Sequence, residues 1–535
     1  MNVVIRSRLW TKVKHKDLTI YWRATDGNFN INPILETIGI NQNDDRIIFH
    51  NISKFCNSIN GGFAFIIICE NYIIAAVDIV KSIPLYFNKD AVVSDSARYV
   101  LSVSADKSYN SDSIMEISRS GYSISNKTLY DSVNILCAGQ VAIMRSNNYR
   151  IHSYYSYVGQ EVKDISFGAM SNLLLEHIFE FAERIKSDYY GRKIVVPLSA
   201  GVDSRLIVSA LKYVGVKDVT CCSYGYKTSF EIGAARAVAE RLGFDFIRID
   251  TDRREVKKYY KTDEFNDYFY KMDTLSSVPY VSESYQISYL VHNNLIPSDA
   301  VIINGNTGDF ISGGHIPYNL VKNDPLLIKK KYIKKHYSLW GALIENKSNS
   351  RIWRNTIESI EERGVDVEAL TAPALYELAE YCGRQSHLIV GNQQVYDYFD
   401  LDWRMPLWSR DYVDFWSSVP YEYKMQKKLY LNTLKNKNIC GVWNDIPINK
   451  KTIRPKWLIP YRLALKSSLF LTNNVDEWSD VERRLVYYFL EPYRNYYPES
   501  FMKVMSDNRQ QRYYFSWWAE RYLNSHGISL GNNID

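Results

Sequence analysis

The stretch KIVVPLSAGVDSRLIVSALKYV, Lys193 to Val214, decides how the chain is read. Its apolar run Ile194, Val195 and Val196 predicts a buried strand, and Leu206, Ile207, Ala210, Leu211 and Val214 recur with helical period. Between them lies the turn SAGVDS, Ser199 to Ser204, flanked by Leu198. Backbone N–H groups at a strand-to-helix turn have no intrahelical partner and point outward with the positive end of the helix dipole, which suits a phosphate. Ala200 and Gly201 keep the loop small, Ser199 and Ser204 add hydroxyl donors, and Val202 opens the helix. Asp203 supplies a carboxylate where a magnesium ion on that phosphate would be held. Neither G-x-x-x-x-G-K-[ST] nor G-x-G-x-x-G occurs in this stretch, which excludes a Walker loop and a dinucleotide fingerprint here.

The turn resembles the S-G-G-x-D-S pyrophosphate loop of ATP pyrophosphatases, with Ala200 in place of the first glycine. That resemblance implies cleavage of ATP to AMP and pyrophosphate while a substrate is activated as an adenylate. Downstream, VKDVTCCSYG predicts a second strand. A helix from Ser229 to Leu242 follows, opened by a capping box of Thr228 and Glu231 and stopped by Gly243, and a third strand runs from Phe244 to Ile249. Strands and helices alternating at this spacing predict a parallel, doubly wound sheet with ligands beyond the carboxyl ends of its strands. Ser223 and Tyr224 stand at such an end: the resemblance makes them contacts for adenine or ribose, and ending a strand explains them equally well.

A further apolar strand leads into a glycine-rich loop in VIINGNTGDFISGGHIPY, Val301 to Tyr318. It resembles the G-E-G-x-D-E segment of asparagine synthetases, which brings Gly305 into the site and puts Asp309 on that family's second magnesium-binding aspartate. Asn306 and Phe310 replace the segment's two glutamates, the first of which handles the attacking amine in the family, so Asn306 takes that catalytic position without a base. Two carboxylates from two strand ends suit a hydrated magnesium ion bridging phosphates. Arg384 and the stretch DWRMPLWSRDYVDFWSSVP, Asp402 to Pro420, resemble the E-x-R-x-P-F-L-D region of the same family. Arg384 and Arg404 carry the fork that binds a carboxylate or phosphate bidentately, though Arg404 is equally suited to pairing with Asp402. After KKLYLNTL comes DIPINKKTIRPKW, where Lys450 and Lys451 match the loop lysine that steadies the departing pyrophosphate in the family; an exposed loop position accounts for them as well.

Upstream, the chain to about Tyr157 is patterned as short strands and turns. GGFAFIIICENYIIAAVDIV, Gly61 to Val80, contains Glu70, Asn71 and Asp78, so it predicts two strands, Phe63 to Ile68 and Tyr72 to Val77, rather than a membrane span. A further short strand is expected at Leu85 to Phe87. With NKTLYDSVNILCAGQVAIM and YRIHSYY these segments resemble the amidotransferase domain that begins asparagine synthetases, an N-terminal-nucleophile hydrolase sandwich. The decisive residue departs: Asn2 stands where that family has its nucleophilic cysteine, and Ser7 lies inside the chain without a free amine as base. The expected organisation is a degenerate amidotransferase-like αββα domain over residues 1–160 and an ATP-pyrophosphatase domain over 165–535. A helix from Phe167 to Ile185 opens the second domain, and a helical extension ends it.

The composition, 23% charged and 46% hydrophobic, is that of a folded water-soluble chain, and a net charge of +6 spread over 535 residues gives little support to nucleic-acid binding. Seven cysteines without C-x-x-C spacing read as reduced core thiols, and MNVVIRSRLW lacks the pattern of a secretion signal, so a cytoplasmic setting is expected. The resemblance implies an α/β, ATP- and Mg²⁺-dependent ligase that adenylates a small-molecule or sugar carboxylate and transfers it to ammonia or an amine. Ala200, the D-S-R-L-I continuation and WRMPLWSRDYVDFW are most similar to asparagine-synthase-related proteins of bacterial surface-polysaccharide synthesis, where a uronic acid becomes an amide. A lasso-type peptide macrolactam cyclase, an asparagine synthetase and a catalytically dead ATP-binding scaffold are the alternatives. A homodimer is among the expected partners; nucleic acid is not.

Overall fold

The structure is a computed structural model. It describes residues 1–535 except 26–28, 38–43, 147, 162–163, 227–228, 319, 321–323, 341–345, 392, 449–452, 454, 473–476, 491–494, 510 and 531–535.

The N-terminal third contributes ten strands: β1 (Asn2–Val4), β2 (Thr11–His15), β3 (Leu18–Ala24), β4 (Phe63–Ile68), β5 (Ile73–Val77), β6 (Tyr86–Phe87), β7 (Val92–Ser94), β8 (Asn134–Ile135), β9 (Gln140–Arg145) and β10 (Asn148–Ser153). They form a six-stranded sheet in the order β10-β9-β5-β4-β3-β2 and a four-stranded sheet in the order β1-β7-β6-β8. The run FAFIII explains why both faces of the larger sheet are dry. Along β4, Phe63, Phe65 and Ile67 pack on Ile48, Ile52 and Phe55 of the helix Asp45–Ser58. The alternate residues Ala64 and Ile66 face Leu85, Phe87 and Val93 of the smaller sheet. Helix Ala97–Val103 packs against β6 and β7, which completes a helix/sheet/sheet/helix layering. The turn at Glu70 and Asn71 separates β4 from β5 as expected, and no described helix is long and apolar enough to cross a membrane.

Helix Phe167–Asp188, three residues longer than the periodicity predicts, buries Met170, Leu174, Ile178, Phe181, Ala182 and Ile185 along one face. Each large apolar side chain taken from water there contributes about 1.5–3 kcal/mol. The chain then enters a five-stranded sheet of β11 (Ile194–Pro197), β12 (Val219–Gly225), β13 (Asp245–Asp250), β14 (Val301–Ile303) and β15 (Asp402–Arg404). All four pairings are parallel, in the order β13-β12-β11-β14-β15. From β11 the chain winds outward through β12 and β13, then returns to the other side of β11 with β14. The crevice between the carboxyl ends of β11 and β14 is therefore the switch point at which such sheets bind ligands. The helix after β12 spans Phe230–Leu242 and ends at Gly243 in the left-handed region as expected, but its cap differs. Ser229 is the N-cap, its hydroxyl accepting from the Glu231 N–H, while Thr228 lies outside the described residues.

Polar contacts tie the two parts together. Arg23 pairs with Asp397 at 2.5 Å, Asn60 Nδ2 donates to Asp411 at 2.5 Å, and the Gln160 N–H donates to the Ser417 carbonyl at 2.8 Å. All seven cysteines are free and six are buried; Cys440 is exposed.

Candidate active site

The SAGVDS turn leaves β11 at Pro197 and enters helix Val202–Tyr213 through Gly201, which offers no side-chain cap. The first-turn amides are thus left facing the crevice. The loop is held by its own hydroxyls. The Ser199 N–H donates to Ser204 Oγ at 3.1 Å, the Gly201 N–H donates to Ser199 Oγ at 3.0 Å, and the two hydroxyls are 3.2 Å apart. One residue further, Arg205 reaches beneath the helix and donates to the carbonyls of Val442, Ile446 and Pro447 at 3.1, 2.7 and 3.0 Å. Burial pushes the guanidinium down to about 10.

The second loop is pressed directly against the first. Glycine is required at Gly305, where a β-carbon would lie 2.9 Å from the Ser204 amide nitrogen. Thr307 takes a left-handed backbone conformation (φ 76°) to start the short helix Gly308–Ile311. The Asp309 N–H then donates to Asp203 Oδ2 at 3.1 Å, and Tyr430 donates its phenolic O–H to Asp203 Oδ1 at 3.1 Å. Lys427 reaches Asp309 Oδ1 at 2.5 Å. Burial first, and the negative charge of Asp309 second, push the Asp203 carboxyl up to about 7. A dication between the two acids relieves both penalties, so this pair fits Mg²⁺, which takes one or two protein carboxylates and fills its shell with phosphate oxygens and water. Among the described residues no group of three or more histidine, cysteine, aspartate or glutamate side chains gathers as a metal site.

A cleft of about 470 Å³ opens at this junction. Of the residues expected from sequence, Leu198, Ser199, Gly201, Val202, Asp203, Ser204, Ser223, Tyr224, Gly305, Asn306 and Asp309 line it, and so does Arg384. Ala200 belongs to the loop but is fully buried beneath it. Arg404 is a correction: its guanidinium is buried against Asp188, away from the cleft lining, while Asp402 pairs with Arg192 at 2.7 Å. The reason lies in the sheet, since β15 is an edge strand one place removed from the switch point. Lys450 and Lys451 lie outside the described residues.

Sequence reasoning missed several lining groups. Glu283 is buried in the cleft wall, 2.6 Å from the Tyr396 hydroxyl and 3.5 Å from that of Tyr224, with its carboxyl raised by burial. His315 and Gln385 sit at the other end. Gln385 and Arg384 are carried on a ten-residue π-helix, Tyr381–Val390, with a widened i→i+5 turn. Among the described residues Arg384 has no hydrogen-bond or ion-pair partner. Only Lys427 was within reach of sequence inspection, as the lysine pair heading KKLYLNTL.

A pyrophosphate-type loop and an acidic loop are thus joined at a parallel-sheet switch point. Residues 190–436, which span the sheet and both loops, match the family model for asparagine synthase. No curated protein matches the chain. Solved structures with some likeness include the NH3-dependent NAD synthetase of Campylobacter jejuni in complex with nitrate ion, at 14% identity, covering 40% of this chain and 94% of that one, with a TM-score of 0.20. The glutamine-dependent NAD+ synthetase of Acinetobacter baumannii in complex with ADP is 11% identical over 51% of this chain and 64% of its own (TM-score 0.19). The glutamine phosphoribosylpyrophosphate amidotransferase of B. subtilis, complexed with ADP and GMP, is 12% identical over 56% and 63% (TM-score 0.17).

Proposed function

We propose that the cleft joins a carboxylate to ammonia or an amine at the expense of ATP, releasing pyrophosphate and AMP, and that the natural carboxylate is a uronic acid of a bacterial surface polysaccharide. The observation that carries the reading is the Asp309 N–H bond to Asp203 at 3.1 Å, because it joins the two acids across the switch point beside the phosphate-type loop. In this reading the first-turn amides and the Ser199 and Ser204 hydroxyls receive the triphosphate. Ser223 and Tyr224, on the β12 side, border the nucleoside. Asp203 and Asp309 would hold Mg²⁺, which when bound neutralises phosphate charge and orients the pyrophosphate as a leaving group. Lys427 is the described ammonium nearest that point, 2.5 Å from Asp309, and Lys450 and Lys451 stand as further candidates for the same task.

Arg384, an unengaged guanidinium in the cleft wall, is suited to the anionic substrate. The carboxylate attacks the α-phosphorus, the bond to pyrophosphate breaks, and the mixed anhydride gives the carbonyl carbon a good leaving group. Position 2 offers no nucleophile: the Asn2 carboxamide donates to the Tyr99 hydroxyl at 3.2 Å, and its backbone N–H is bonded to the Ala91 carbonyl. The layered N-terminal part is accordingly read as a degenerate amidotransferase domain, residues 1–160, and the nitrogen as coming from free ammonia or an amine. Pyrophosphate release from magnesium-ATP tests the proposal. It is expected only when galacturonic or glucuronic acid, free or nucleotide-linked, is present, and it is lost in Asp203→Ala. Release with aspartate alone would redirect the reading to asparagine synthesis, and no release with either class would sink it.

A further inference from the structure

Amide formation needs a base for the attacking nitrogen, and the two positions where the asparagine-synthetase resemblance expects glutamates hold Asn306 and Phe310. A carboxamide takes up no proton near neutrality, and the Phe310 ring is buried in a stack on Trp408, with centroids 5.8 Å apart. The other titratable groups of the cleft are also accounted for. Asp203 and Asp309 form the acid pair, and a guanidinium such as that of Arg384 donates hydrogen bonds but accepts none. Burial holds the Tyr224 and Tyr280 phenols well above their ordinary range. Glu283 is engaged by two phenols, and Glu231 lies in the first turn of its helix beside the Ser229 cap.

One oriented base remains. His315 Nδ1 lies 2.5 Å from Oε1 of Glu380, a carboxylate with no exposed surface. Burial opposes ionisation of Glu380, while the hydrogen bond from His315 Nδ1 at 2.5 Å and the Lys335 ammonium at 3.6 Å favour its ionised form. Glu380 thus fixes the tautomer of His315 with its proton on Nδ1 and leaves the Nε2 lone pair free; among the described residues Nε2 has no partner. Beside it, Gln385 donates to Glu380 Oε1 at 2.8 Å through Nε2, while its own Oε1 is buried without a hydrogen-bond partner. A buried acceptor left unpaired at a cleft wall asks for an N–H donor.

We propose that His315, positioned by Glu380, is the general base for the amine, and that Gln385 Oε1 accepts a second N–H of the same nitrogen. The inference rests on the ligase reading above. The amine lone pair forms the C–N bond, the C–O bond to AMP breaks and AMP leaves. The surplus proton on nitrogen passes to His315 Nε2, and ionised Glu380 stabilises the resulting imidazolium. The titratable and charged groups facing the ring are Glu380 on the π-helix, Lys335 (whose ammonium donates to the His315 carbonyl at 2.9 Å) and His336, lowered by burial to about 4, on the helix Pro325–His336, Arg384 in the cleft wall, and Asp309 and Lys427 beyond Gly314.

Two half-reactions measured side by side test this, with glucuronic and galacturonic acids as carboxylates. In His315→Ala, carboxylate-dependent ATP–pyrophosphate exchange is expected to stay near the wild-type rate, while amide formation from ammonia falls about 100-fold or more. Free imidazole should restore part of the loss, and hydroxylamine, which attacks without a base, should be used almost as well as by the wild type. Glu380→Gln should slow the ammonia step and flatten its acid limb on the pH profile. Equal loss of exchange and amide formation, or full ammonia use by His315→Ala, overturns the inference and leaves the ligase reading intact. Absence of exchange in the wild type with every carboxylate removes both.

Discussion

Gly308 touches Asp203: a β-carbon at 308 would fall 2.4 Å from the carboxyl carbon of Asp203. The SAGVDS turn with its helix and the acidic loop therefore meet without room for a single methyl group. Overpacking of this kind costs about 1–3 kcal/mol. Gly308→Ala should keep the fold, read by an unchanged far-ultraviolet circular dichroism spectrum, while pyrophosphate release falls about tenfold or more, since the added carbon wedges the two acids apart. Wild-type activity in that variant would show that the loops need not touch.

In the proposed reading, protons and magnesium compete for the Asp203 and Asp309 pair. The Asp203 carboxyl stands at about 7 in the folded chain against an ordinary 3.8, so between those values the folded state binds a proton the unfolded state has lost. Stability then falls as pH rises through that window and stays low above it. Asp203→Asn should remove this slope in the metal-free protein. Magnesium chloride should raise the melting temperature clearly at pH 8 and far less at pH 5, where Asp203 is protonated. A magnesium effect independent of pH would argue for a site elsewhere.

Arg404 is a structural side chain. Its guanidinium and the Asp188 carboxylate are 3% and 2% exposed, so removing one leaves the other buried and uncompensated. Arg404→Met is expected to cost about 3–5 kcal/mol in denaturant unfolding, with nucleotide affinity of the folded protein unchanged. Loss of ATP binding at full stability would restore the nucleotide-contact reading that the sequence suggested.

Arg205 joins the nucleotide-loop helix to the segment 442–447, which leads toward Lys450 and Lys451. Replacing it with methionine leaves the carbonyls of Val442, Ile446 and Pro447, and the more distant one of Ala200, without this donor, at about 1–3 kcal/mol for each that stays buried. Limited proteolysis should then cut sooner around residues 440–456, and pyrophosphate release should drop with it. An unaltered cleavage pattern would mean that the segment is anchored by other contacts.

Much of this was legible in the chain. The short apolar run and the period-3.6 pattern around SAGVDS located β11 and its helix, and the two aspartates named from sequence do converge, because loops after neighbouring parallel strands must emerge at the same edge. What stayed hidden depends on packing between distant segments. Nothing near Glu380 in sequence foretells that it meets His315, 65 positions earlier. The Arg404 motif match pointed to the cleft, but its strand sits at the sheet edge, where Asp188 is the nearer acid. Ser229 capped the helix in place of Thr228, a one-residue shift of the kind that cap geometry alone decides.

The widened coil Tyr381–Val390 faces two ways. Arg384 and Gln385 look into the cleft, while His387, buried and held neutral, lies 3.3 Å from Lys81 and 3.7 Å from Cys137, both in connections between the N-terminal strands. It acts as an axle with spokes on both sides. A residue gained or lost within it rotates both sets of spokes together, so the N-terminal part and the cleft wall cannot be turned independently of each other.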